Sequence, residues 1–171
     1  MSKSKIVAMM ALIVFAMAIL LVGNAVAGEK FKGRTINYAT KWEQVGVPGD
    51  EKHLMAVAET KGISSNKEGK AFGEGTVDRA VGVYDIDLKA ETGSNHGYTE
   101  SADRDGDKIY YRWEGTRIKG KLWGSQWEGK YTILRGTGKY EGIQGKGTWT
   151  YHNPAPMQTV TDWEMEVELP R

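Results

Sequence analysis

Cysteine is absent from the 171-residue chain, and several kinds of chemistry are excluded with it. No disulfide can staple the fold, no thiol can act as a nucleophile, and no N-terminal cysteine can carry a lipid. A basic block is missing too. Lysine and arginine total 23 against 22 acidic residues, and this near-neutral balance argues against a nucleic-acid or anionic-membrane partner. There is no G-x-S-x-G elbow, no linker, no low-complexity tract and no internal repeat. Beyond the first 27 residues, no stretch sustains a 3.6-residue apolar period. Nothing in these absences leaves room for a helical domain, and nothing present compels an enzyme.

One long apolar run is present, at the beginning. Lys3 and Lys5 precede Ile6 to Val22, which is apolar almost throughout, and Asn24-Ala25-Val26-Ala27 puts small residues before Gly28. That order is the pattern of a secretory signal peptide cleaved after Ala27. An uncleaved anchor is the other reading, because the run approaches the shortest length that spans a bilayer. The expectation is a signal peptide over residues 1–27 and one domain over residues 28–171, exported to the periplasm or secreted. No stable membrane insertion is expected after cleavage. All six Trp and all eight Tyr lie in the mature part, which is long enough to bury its own core.

Most of that part alternates with period two. Ile36, Tyr38, Thr40 and Trp42 share one face, opposite Thr35, Asn37 and Lys41. Leu54 to Thr60 is a second candidate strand. Ala80, Gly82, Tyr84, Ile86 and Leu88 oppose Arg79, Asp85, Asp87 and Lys89; Ile109, Tyr111 and Trp113 oppose Tyr110, Arg112 and Glu114. Ile118 to Trp127, Lys130 to Arg135 and Trp149 with Tyr151 continue the series. The last strand sets Thr161, Trp163, Met165, Val167 and Leu169 against Asp162, Glu164, Glu166 and Glu168. Turn chemistry separates these runs at Pro48-Gly49-Asp50, Ser65 to Gly69, Thr92 to Asn95, Asp105-Gly106-Asp107 and Asn153-Pro154. The fold expected is all-β, a single antiparallel up-and-down barrel of about eight strands, with an open sandwich as runner-up.

Several constellations invite chemical readings. Asp103-Arg-Asp-Gly-Asp107 resembles a calcium loop in spacing, but the register anchored on Gly106 puts Arg112 where a bidentate Glu is required. It reads as a hairpin turn. Gly136-Thr-Gly-Lys139 lacks the Walker spacing and the Ser/Thr that should follow the lysine. His53, His96 and His152 are far apart in the chain, and Glu164, Glu166 and Glu168 occupy a charged face opposite an apolar one, the pattern of a solvated strand. No metal site and no cofactor is assigned. Tyr84, Tyr111, Trp113, Trp149 and Trp163 fall on the apolar phases, while Trp123 and Trp127 stand beside Gly124 and Gly129. Inward aromatics either fill a small barrel or line a pocket for one small ligand.

The densest signal is Arg135 to Trp149, with Gly136, Gly138, Gly142, Gly145 and Gly147 set around Tyr140, Ile143 and Trp149. So many glycines cannot sit in a helix; in a sheet they supply turns, bulges and close backbone approach. Gly136, Gly138, Tyr140, Gly142, Ile143 and Gly145 match the G-[ST]-G-x-[FY]-x-G-[IV]-x-G pattern, and the chain here resembles the allene oxide cyclase-like and dirigent-like barrels of the calycin-like group. The resemblance covers some fifteen residues and implies a late strand–turn of a barrel followed by closing strands. It carries over no catalytic residue, and the bacterial-type leader differs from the plant enzymes.

The function expected from all this is a module that holds a small apolar ligand in the barrel without catalysis, with Tyr84, Tyr111, Trp113, Trp149 and Trp163 as its candidate contacts. One alternative is a cyclase or isomerase that confines an apolar substrate, which requires a buried polar group with a perturbed pKa. The other is a structural or protein-interaction barrel with a filled core. Homo-oligomerisation is left open.

Overall fold

Eight antiparallel strands close on themselves in the order in which they occur in the chain. They are β1 (Glu29–Val47), β2 (Asp50–Glu68), β3 (Val77–Asp87), β4 (Thr92–Ala102), β5 (Lys108–Lys119), β6 (Gln126–Gly136), β7 (Gln144–Ala155) and β8 (Gln158–Glu168). A computed structural model describes residues 28–68, 75–119 and 124–169. The expected signal peptide, residues 1–27, and Trp123 lie outside the described residues. Closure is direct: β1 pairs with β8 from Glu29↔Val167 to Tyr38↔Gln158. Within the barrel wall every described strand has a neighbour on both sides, which removes the edge that an open sandwich would have to protect. The up-and-down barrel holds, and the sandwich is excluded.

The alternation places the core inside the barrel. On β3, β5 and β8 the inward side chains are those on the apolar phases, with Ile86 2%, Ile109 3%, Trp163 6% and Val167 0% exposed. Glu164, Glu166 and Glu168 are exposed on the opposite face. The first strand departs from its apolar phase. Ile36 and Tyr38 are 42% and 57% exposed, whereas Phe31, Gly33 and Thr35 are buried. A register shift between Ala39 and Lys41 inserts an extra residue and reverses the phase, so only Trp42 of the expected face turns toward the interior. The apolar reading of Ile36 and Tyr38 fails because this part of the interior is polar and takes Thr35.

Several breaks also move. Ser65 to Glu68 continue β2, Thr92 to Asn95 open β4, and Asn153-Pro154 belong to β7. Hairpin β1–β2 turns at Pro48-Gly49, with Gly49 at φ +83°, and β7–β8 turns at Pro156-Met157. Residues 118–127 are not one strand: β5 ends at Lys119 and β6 begins at Gln126.

What fits six-membered and fused rings into so narrow a tube is glycine. Gly82 and Gly97 are register partners, and a Cβ on either would fall within 2.7 Å of the Trp113 ring. Gly115 and Gly129 are partners in the same way, and the Trp149 ring covers both. Each indole therefore lies flat across a neighbouring pair of strands, in space that any side chain would occupy.

The glycine-rich segment joins β6 to β7 at one end. A single 3-10 turn, Gly138–Tyr140, follows Thr137, and Gly138 and Gly142 take φ +55° and +85°, which favour glycine. Tyr140 and Ile143 fold inward, 6% and 3% exposed, into the same apolar cluster as Phe31 and Val167. Lys139 lies 2.6 Å from Asp103 and 3.0 Å from Asp105 across the β4–β5 turn, and Asp107 accepts its backbone N–H at 3.2 Å. The aspartate-rich loop is a hairpin turn fastened to its neighbour, and this end of the barrel, the base, is capped.

Candidate functional site

Antiparallel order puts the turns at 48–49, 88–91 and 156–157 together at the opposite end, the mouth. A concave space of about 530 Å³ opens there, lined by Trp42, Tyr84, Ile86, Trp127, Tyr151 and Met157 among others. The β1–β2 hairpin forms one side of it, running past Tyr38, the last β1 residue paired with β8. Trp42 on that hairpin has its ring centroid 5.5 Å from Tyr84, and its indole N–H donates to Gln44 Oε1 at 2.9 Å. Trp127 stacks on Tyr151 at 5.8 Å and Tyr151 on Trp149 at 5.3 Å, interplanar angles 18° and 11°. An aromatic column thus runs from the mouth into the interior.

Below the mouth lies a smaller chamber of about 90 Å³. Tyr84, Tyr151, Thr60 and Thr159 line both spaces and form the floor between them. The five aromatics singled out in the sequence, Tyr84, Tyr111, Trp113, Trp149 and Trp163, all line this one chamber. Tyr131 and Tyr151 join them. The chamber is smaller than the roughly 150 Å³ apolar cavity that holds a benzene, so the rings largely fill the barrel here while the mouth stays open.

The chamber also holds a carboxylate. Asp78 is 4% exposed, and two hydroxyl chains end on it. Trp163 Nε1–H donates to Thr35 Oγ1 at 3.2 Å, the Thr35 and Ser64 hydroxyls lie 2.5 Å apart, and Ser64 donates to Asp78 Oδ2 at 2.6 Å. On the other side, Ser101 donates to Asp78 Oδ1 and lies 2.5 Å from the Tyr111 hydroxyl. Each hydroxyl carries one proton. An ionised Asp78 therefore orients both chains toward itself, Trp163 to Thr35 to Ser64 and Tyr111 to Ser101. Burial raises the Asp78 carboxyl above 3.8, and the hydrogen bonds from Ser101, Ser64 and Thr35 oppose that rise.

Burial acts on the phenols as well. It pushes Tyr84 up to about 12 and raises Tyr111, Tyr131 and Tyr151. All four stay neutral at physiological pH and can offer an O–H. Asn95 donates to the Tyr151 hydroxyl at 3.3 Å, and Trp113 donates to Thr99 at 3.1 Å. The site combines flat ring faces with a few oriented polar atoms.

Asp78 was legible in principle. It continues, two residues back, the inward phase of Ala80, Gly82, Tyr84 and Ile86; a charged residue on that phase is the signal. Ser64 and Ser101 offered none, because their strand segments read as turn or were unassigned. The three histidines stand on different strands, β2, β4 and β7, with His53 paired to Asp85.

No protein-family model matches the sequence, and no curated protein matches it. Among solved structures the chain is similar to a pterocarpan synthase dirigent protein, with a TM-score of 0.48 and 8% identity over 85% of this chain and 91% of that one. The likeness assigns no residue or activity to this chain.

Proposed function

We propose that the protein is an exported carrier that holds one small, largely apolar ligand in the mouth of the barrel and does no chemistry on it. The observation that carries this reading is the mouth itself: about 530 Å³ of open space walled by Trp42, Tyr84, Trp127 and Tyr151. That volume is within the range of small-molecule sites, and apolar walls with a few placed polar groups are their usual make-up. The alternative of a wholly filled barrel leaves this space unexplained. Tryptophans on the wall report occupancy directly. Titration with a fatty acid, an isoprenoid alcohol and a simple phenolic should give a saturable fluorescence change with at least one class, weakened in Trp42→Ala. Absence of a saturable change with all three would overturn the reading.

Asp78 lends support to a second reading, confinement catalysis, because a buried acid with a raised pKa can give or take a proton. Prolonged incubation followed by mass analysis separates the two. A carrier returns its ligand unchanged, whereas a rearranged product that disappears in Asp78→Asn would establish the enzyme.

A further inference from the structure

Resting on the carrier reading, we infer that the ligand is an organic cation: a primary ammonium head that enters the chamber toward Asp78, on an apolar body that fills the mouth. When ionised, Asp78 has no counter-ion among the described residues. Every ion pair formed there involves other acids, and Asp78 is met only by neutral hydroxyls. A carboxylic acid this deeply buried ordinarily keeps its proton or has a cation or a metal beside it when ionised. Asp78 is part of the chamber wall, so a cation held in that space would stand beside it.

The acceptor capacity fits. Two carboxylate oxygens offer about four hydrogen-bond positions. The Ser64 and Ser101 hydroxyls fill two, while Thr35, 3.4 Å from Oδ2, gives its single proton to Ser64. An ammonium carries three N–H donors. One can reach Asp78, and the Thr99, Ser101 and Tyr111 oxygens in the same wall can accept the others.

The remaining walls suit a positive charge as well. Trp113, Trp149, Trp163 and Tyr131 surround the chamber, and the face of an aromatic ring attracts a cation, most strongly once water is excluded. The same rings attract neither a carboxylate nor a phosphate, and Asp78 repels both. Size completes the selection. About 90 Å³ takes a compact head and no ring, while the mouth takes the body, and Tyr84, Thr60, Tyr151 and Thr159 border both spaces.

The test uses three probes with one ring and a two-carbon arm: phenethylamine, phenethyl alcohol and phenylacetate, positive, neutral and negative at pH 7. Calorimetric titration of the purified protein should show the amine binding at least tenfold more tightly than the alcohol, with phenylacetate weakest. In Asp78→Asn the tenfold advantage of the amine over the alcohol should disappear. Should that variant fail to fold, methylammonium chloride serves in its place. The head alone should displace phenethylamine from the unaltered protein, beyond the effect of equal potassium chloride, and should leave bound phenethyl alcohol in place. Binding of the alcohol as tightly as the amine, or displacement of both probes alike, would overturn the cation inference and leave the carrier standing. Failure of all three probes to bind would overturn the cation inference, while the carrier reading stands or falls by its own fluorescence titration.

Discussion

Replacing Gly129 by alanine adds one methyl group, and the structure says where it must go. The new Cβ would stand 2.1 Å from the Glu114 carbonyl oxygen of β5 and 2.3 Å from the Trp149 ring. Backbone dihedrals are not the difficulty, since Gly129 is not among the residues with positive φ. The obstacle is a carbonyl in the neighbouring strand and a ring that is itself 3% exposed, neither of which can swing away. Overpacking a well-filled core costs about 1–3 kcal/mol when side chains can adjust. Here the β5–β6 ladder has to open as well, so a loss of about 3 kcal/mol or more is expected. For a domain of this length each kcal/mol moves the midpoint by about 2–4 °C, which gives a drop of roughly 6–12 °C. Gly46→Ala is the matched control. Gly46 lies in β1 with nothing within 4 Å of its Cβ position, so the change should be neutral or stabilising by up to about 1 kcal/mol. Thermal unfolding followed by near-ultraviolet circular dichroism measures both. Adding Trp149→Leu to Gly129→Ala should recover part of the loss and not all of it, because the Glu114 contact persists. If Gly129→Ala melts within about 2 °C of the unaltered protein, glycine is not what makes room for the indoles and the packing argument fails.

The remaining predictions concern pH and the base of the barrel. Arg34 and Lys67 hold the Asp162 carboxyl at about 2 against 3.8. Its contribution is thus full above about 3.8 and is lost as pH falls toward 2; urea midpoints measured between pH 5 and 2 should fall less steeply in Asp162→Asn. Asp78 has the opposite sign. Its folded-state value is raised from 3.8, so the native state holds the proton longer and the stability it confers is lost as pH rises above about 4. Midpoints between pH 3 and 7 should show this decline in the unaltered protein, and Asp78→Asn should remove it. Ile143, 3% exposed beneath the base, should cost about 2–5 kcal/mol on truncation to alanine. A loss below about 1 kcal/mol in denaturant titration would mean that the glycine-rich connection only covers the base without packing into it.

The strand segments at β3, β5 and β8 could be read in advance because their residues obey one rule, apolar inward and charged outward. The late glycine cluster could be placed because positive φ and close approach leave few other uses for so many glycines. The five aromatics fell on the inward phase, and they meet in one chamber. The misreadings share a cause. Ile36 and Tyr38 looked inward because apolar residues usually do, but β1 turns Thr35 toward a polar interior and then reverses phase at its bulge. Thr92 to Asn95 looked like a turn because their composition is turn-like, yet they pair with Tyr84 to Asp87 as strand.

By itself the sequence determined the class and the approximate number of strands, since period-two alternation and turn spacing are local properties of a chain. It also determined that glycine would shape the wall. Only the tertiary structure decided what the wall encloses. Thr35, Ser64, Asp78, Ser101 and Tyr111 come from five strands and lie up to 76 residues apart in the numbering, and no local pattern links them. Closure brought their hydroxyls to one carboxylate, and the shear of the strands set which rings surround it. A buried charge that faces a cavity exists only once the barrel is shut.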